Sequence, residues 1–210
     1  MVNGIKTRAD DRDDTRERLL AAAHEQFAER GFYGASIAQI AGELGLTKQA
    51  LLYHFKRKED LYREVLSQIA KRLSDTIEEV MFADGDPRAQ FENFILKLHA
   101  NGMEDPQGTR ILMRELLDNR ARAEKAKDWF LRQFLEDTLA LLQKIEGLEN
   151  LPFEEAFALL YQLLGGIEYF TISEVTLRQM YGDGDYEKVR ARYPDNLRSQ
   201  IRRMIDSAAV

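Results

Sequence analysis

The sequence predicts an all-α protein: an amino-terminal three-helix domain joined by a long helix to a carboxy-terminal helical bundle. Three observations carry that reading. Apolar residues recur at helical spacing along the chain, and no strand alternation persists. Residues 36–55 have the caps and the turn glycine of two short helices joined tightly, a helix-turn-helix. Residues 153–180 are apolar nearly all round, and such a helix needs partners on every side. The organisation divides the chain into segments 1–58 and 59–210.

The first helix, about 13–30, buries Leu20, Ala23 and Phe27 and stops near Gly31. Ahead of it, Lys6, Arg8 and Arg12 mix with Asp10, Asp11, Asp13 and Asp14. That composition fits a disordered, solvated tail, with a minor-groove arm as the alternative.

Ser36 is placed to cap the next helix, and Gln39 three residues on completes an S-x-x-Q capping box. Ile37, Ile40, Ala41 and Leu44 form its inward face. Gly45 supplies the left-handed position that ends it, and Thr47 caps the helix that follows. On that second helix Leu51 and Phe55 turn inward, while Thr47, Lys48, Gln49, Tyr53 and His54 offer polar groups outward. Such groups suit phosphates and base edges in a DNA major groove. Lys58 follows at the start of another helix, where backbone N–H groups also favour a phosphate. With Ser36 and Gln39, these are the candidate DNA-binding residues. The other reading is an αα-hairpin with a solvated polar face.

Charge and composition bound the rest. The 210 residues are 44% hydrophobic, enough for a full core. Net charge is −6, yet between Gly31 and Lys58 only Glu43 opposes Lys48, Lys56, Arg57 and Lys58. An acidic body behind a basic edge orients a protein on DNA and suppresses non-specific coating. The absence of cysteine excludes disulfides and thiolate zinc sites. The polar start is unlike a signal peptide and no run of about eighteen apolar residues exists, so a soluble, cytoplasmic chain without a membrane partner is expected.

The long helix, about 59–82, carries Leu61, Val65, Ile69, Leu73 and Ile77 four apart on one face. Asp84-Gly-Asp-Pro87 breaks it, and Asp86 and Pro87 begin the next helix as cap and first helical residue. That helix is expected to fail at Asn101-Gly102, before segments at about 107–118 and 121–146. A helix at about 153–181 and a last one after Pro194 complete the chain.

The stretch around the short helix pair resembles one family. From Thr15-Arg-Glu-Arg-Leu-Leu through Phe27-Ala-Glu-Arg-Gly-Phe-Tyr-Gly-Ala-Ser-Ile to Leu52-Tyr-His-Phe-Lys-Arg-Lys-Glu-Asp-Leu61, residues 15–66 look like the amino-terminal domain of TetR-type (TetR/AcrR) transcriptional regulators. One position departs: Leu52 stands where that family often has an aromatic, which shifts any backbone contact there to Tyr53 or His54. The resemblance implies a phosphate contact by Lys58 and a repressor that leaves a palindromic operator when a small, largely apolar effector binds the carboxy-terminal domain. The rival is a DNA-bound adaptor controlled by a protein partner, or a regulator without a small-molecule effector.

The resemblance also implies a homodimer, formed by pairing the last two long helices. Two helix-turn-helix units related by a two-fold then read a palindrome. Candidate interface residues are Leu164, Gly165, Gly166 and Ile172, with Leu197, Ile201, Met204 and Ile205 as a matching stripe. Without the resemblance, the helix around Gly165-Gly166 reads as a central core helix.

Between the reading head and these helices lie Trp129, Phe130, Phe134, Tyr161 and Tyr169, with His99, Arg114, Glu115 and Glu168 as sparse polar groups. They line an apolar cavity for a small molecule, or else they are core aromatics and helix-to-helix pairs. The resemblance favours the cavity. No enzyme, metal or cofactor is expected. The three histidines, His24, His54 and His99, are far apart, and no catalytic constellation is present. Gly182-Asp-Gly-Asp-Tyr-Glu187 lacks the closing glutamate of a calcium loop and reads as a hydrated loop.

Overall fold

The structure, a computed structural model, describes residues 8–81, 84–118 and 131–209. Among these the chain is all-helical: α1 (Arg8–Gly34), α2 (Ile37–Glu43), α3 (Lys48–His54), α4 (Lys58–Met81), α5 (Pro87–Glu104), α6 (Pro106–Asp118), α7 (Arg132–Leu142), α8 (Phe153–Tyr181) and α9 (Asp183–Ala208). The expectations for Trp129, Phe130 and the first seven residues lie outside the described residues.

Local signals set most of the boundaries. Gly31, at φ 68°, breaks α1 where the sequence places its end, although α1 begins at Arg8, ahead of the expected start. Gly45 sits at φ 69° between α2 and α3, a conformation that suits glycine. Asp86 accepts a hydrogen bond from the Ala89 amide at 3.0 Å, with Pro87 following as the first helical residue.

Three expectations are corrected. Asn101 and Gly102 do not end a helix; α5 runs on to Glu104. The glycine permits close packing there, since a Cβ on it would lie 3.3 Å from Thr171 Oγ1 on α8. The segment 182–187 is not a loop, because α9 starts at Asp183 and carries Pro194 in its interior. The acidic Asp183 and Asp185 fall in the first turn of α9, where the helix dipole favours them. Finally, Leu197, Ile201 and Ile205 are no stripe for a second copy. They are 4%, 0% and 4% exposed, packed into the chain's own core with Phe91, Leu142 and Leu160. Met204 packs partly buried against the same core.

Two cores meet along α4. The first gathers Leu20, Phe27, Ile40 and Leu51 with Leu61 and Val65 of α4, and draws in Ile111 and Leu112 of α6. The second fills the space between α5, α7, α8 and α9. Leu73 packs against both. The first half of α4 therefore belongs, by packing, to the reading head, and α6 reaches beneath it.

Candidate DNA-reading face and the cavity behind it

α2 is held on α1 by side chains as well as by packing. The Gln26 amide bonds to the Glu43 carboxylate, and Arg30 donates to Gln39 Oε1 at 3.0 Å. The second contact displaces the expected capping box: Ser36 has an extended backbone but makes no side-chain cap bond. Thr47 does cap α3, accepting from the Ala50 amide at 3.2 Å.

With Leu51 fully buried and Phe55 nearly so, α3 turns its opposite side to solvent. Thr47, Lys48 and Gln49 are exposed at its amino-terminal end, and Tyr53 stands 66% exposed near its other end, edge-on to His54. This exposed polar side of a short helix is the geometry in which a recognition helix meets base edges. Lys58 is the first residue of α4, its ammonium 4.8 Å above the Phe32 ring. Partial burial lowers its pKa from the ordinary lysine value. The lysine is thus pre-positioned rather than free to sweep through solvent.

Behind the head lies a cavity of about 700 Å³, walled by α4, α5, α6, α7 and α8. Of the expected effector-binding residues, Phe134, Tyr161, Glu168 and Tyr169 line it. Three others do not. His99 is buried against the Phe170 and Tyr193 rings, with centroids 5.9 and 4.8 Å away. Arg114 points toward α1, donating to the Ala28 and Glu29 carbonyls at 3.1 and 2.7 Å. Glu115 is buried and accepts a 2.7 Å bond from the Tyr62 hydroxyl. These are joints between elements, as the alternative reading of Arg114 and Glu115 held. Sequence reasoning missed Thr109, Met113 and Leu135 in the wall, and the Arg72–Asp105 pair beside it. The amphipathic pattern of α6 was the one signal for Thr109 and Met113.

Glu168 has no charged or hydrogen-bonding partner among the described residues, and burial pushes its carboxyl up to about 7. His24, 3.9 Å from Asp105, is lowered chiefly by burial. Among the described residues no cluster of three or more His, Asp or Glu could hold a metal ion. No described helix is long and apolar enough to cross a membrane.

On α8 a line of exposed positions four apart, Tyr161, Gly165 and Tyr169, continues past Ile172 toward Met180, which is 63% exposed. Leu164 and Ile172 are partly buried, and Gly166 is exposed, its carbonyl accepting from the Tyr193 hydroxyl at 2.8 Å. A Cβ at Gly165 would meet nothing within 4 Å.

Residues 19–65 match the family model for bacterial regulatory proteins of the tetR family. The chain is 31% identical over 101 residues to the HTH-type transcriptional activator FasR of Mycolicibacterium smegmatis, covering 48% of this chain and 46% of that protein. It is 35% identical over 103 residues to the regulator RutR of Escherichia coli K12, covering 49% and 48%. It spans about half the length of these curated relatives. The match to UidR of Escherichia coli K12 is 28% identical over 196 residues, 80% of this chain and 98% of that one. The fold is shared with a structure from Clostridium perfringens described as a fatty acid metabolism regulator, at TM-score 0.70 and 17% identity, covering 87% and 97%. It is shared as well with a TetR-like regulator from Rhodococcus sp. RHA1, at TM-score 0.65 and 19% identity, covering 95% and 97%.

Proposed function

We propose that the chain is a DNA-binding transcriptional regulator of the TetR type that represses from a palindromic operator as a homodimer and is released by a small ligand in the cavity. One observation carries the ligand reading: two of the helices that wall the cavity, α4 and α6, are joined to the reading head. α6 lends Thr109 and Met113 to the cavity and, through Arg114, holds the α1 carbonyls. α4 lends Leu73 and Thr76, and its own first turns belong to the head's core. A ligand that displaces either helix changes the position of α3. For this to release DNA, the ligand must bind the displaced arrangement more tightly, and that preference sets how far the equilibrium moves.

The rival, control by a protein partner, calls for a closed and solidly packed carboxy-terminal core. A cavity of about 700 Å³ is of the size that takes small molecules and supports the ligand reading. FasR is named an activator, so a gain as well as a loss of operator affinity on ligand addition is to be read.

The experiment follows operator affinity by fluorescence anisotropy with and without a cavity ligand. Wild type should lose affinity on ligand addition, while Met113→Trp, which fills the cavity from α6, should keep the operator and ignore the ligand. A full ligand response in Met113→Trp would remove the cavity from the mechanism.

A further inference from the structure

The charges around the cavity are unequal in kind and in pairing. Among the described residues, its two lining cations are already engaged by lining acids: Arg72 lies 2.7 Å from Asp105, and Lys97 pairs with Glu79. Asp75, also in the wall, holds Lys71 at 2.7 Å, and Glu104 is exposed near the carboxy-terminal end of α5. Glu168 differs from all of these. It lies mid-helix on α8, lines the cavity beside Leu164 and Ile167, and has no partner among the described residues. Tyr161, two turns earlier on the same helix face, lines the cavity too.

We infer that the ligand is an amphipathic cation, an apolar body bearing one ammonium or amidinium group that pairs with Glu168. This rests on the cavity being the effector site proposed above. A carboxylate or phosphate headgroup would have to compete with Asp105 for Arg72 or with Glu79 for Lys97, and would meet Glu168 with like charge. A neutral ligand leaves the Glu168 carboxyl in an apolar wall without compensation, an arrangement that disfavours its ionised form. A ligand cation removes that penalty by charge pairing, and one that carries an N–H adds a charge-assisted hydrogen bond. The Tyr161 ring, two turns along α8, is left to cover the apolar body. Burial, which holds the Glu168 carboxyl near 7, leaves it about half protonated at neutral pH until a cation arrives. At about 10 Å along the helix from Tyr161, Glu168 leaves room for an apolar body of medium length.

The test uses three probes of one chain length: decyltrimethylammonium, decanoate and 1-decanol. Each is titrated calorimetrically at pH 8, below micellar concentrations, into the full-length wild type and Glu168→Gln. Decyltrimethylammonium should bind wild type about tenfold or more tighter than decanoate, as a charge-assisted contact allows. Glu168→Gln should abolish most of that preference and leave 1-decanol within about twofold, since an apolar body is indifferent to the change. Decanoate binding as well as the ammonium, or a preference that survives Glu168→Gln, overturns the cation assignment and leaves the cavity reading intact. Failure of all three probes to bind overturns the cavity reading itself.

Discussion

The Tyr62 hydroxyl donates to the Glu115 carboxylate at 2.7 Å, a buried bond across 53 positions that joins α4 to α6. One end lies in the core of the reading head, and the other lies on the helix that walls the cavity. Movement of α6 is therefore felt at α4 directly.

Tyr62→Phe keeps the ring, which packs edge-on against Phe27 with centroids 4.7 Å apart, and removes the hydroxyl that makes this bond. Urea unfolding should show a loss of about 1.5–3 kcal/mol, the usual worth of a hydrogen bond to a charged group. Operator release by ligand should weaken with it. Unchanged stability and unchanged release together would show that the bond couples nothing.

On DNA, Lys48→Ala and Lys58→Ala should each weaken operator and random duplex alike, lowering the salt slope by about 0.9 for each phosphate no longer neutralised. Gln49→Ala should instead change preference at one base position, by about 1–3 kcal/mol. Selection on a randomised operator measures both. Full affinity in the Lys48/Lys58 double variant would remove α3 and the start of α4 from the interface.

The Glu168 carboxyl gives a pH signature. Its folded pKa, about 7, is raised above the ordinary glutamate value of 4.5, so between these the folded chain holds a proton that the unfolded chain has lost. Its contribution to stability is present below the unfolded value and is lost as pH rises through the folded one. Glu168→Gln should erase that fall between pH 5 and 8, which thermal melts against pH will show. Affinity for decyltrimethylammonium runs the other way, rising up to about tenfold from pH 6 to 8 as the carboxyl ionises. A flat profile for both would place the carboxyl in water.

At Gly165 a side chain has room within the protomer, since nothing lies within 4 Å of its Cβ position. Gly165→Leu should then stabilise the isolated helix by about 0.5–1 kcal/mol through propensity. In a homodimer paired through α8 it should overpack the interface and shift sedimentation toward monomer. Unaltered association would move the pairing surface off this glycine.

The helix-turn-helix was legible because its signals are local. The Thr47 cap, the Gly45 turn and the inward Ile40, Ala41 and Leu51 each depend on neighbours a few residues away. What was not legible depended on distant residues. Gln39 serves Arg30 on α1 instead of a capping box, and Gly102 gives room to Thr171 instead of ending a helix. Pro194 continues α9 in spite of its missing N–H. The cavity is the strongest case, for its walls come from five helices and no single periodicity marks them. The same polar types, Arg114 and Glu115 against Glu168, were indistinguishable in sequence until packing sent the first two to the head.

The most direct measurement is selection of random duplexes on the full-length chain, followed by sequencing of the retained pool. A dimeric reader with one α3 per protomer should enrich an inverted repeat, its half-sites about 34–36 Å or a multiple of that apart. Retention of no common sequence, or of one unrepeated half-site, would contradict an operator-binding homodimer.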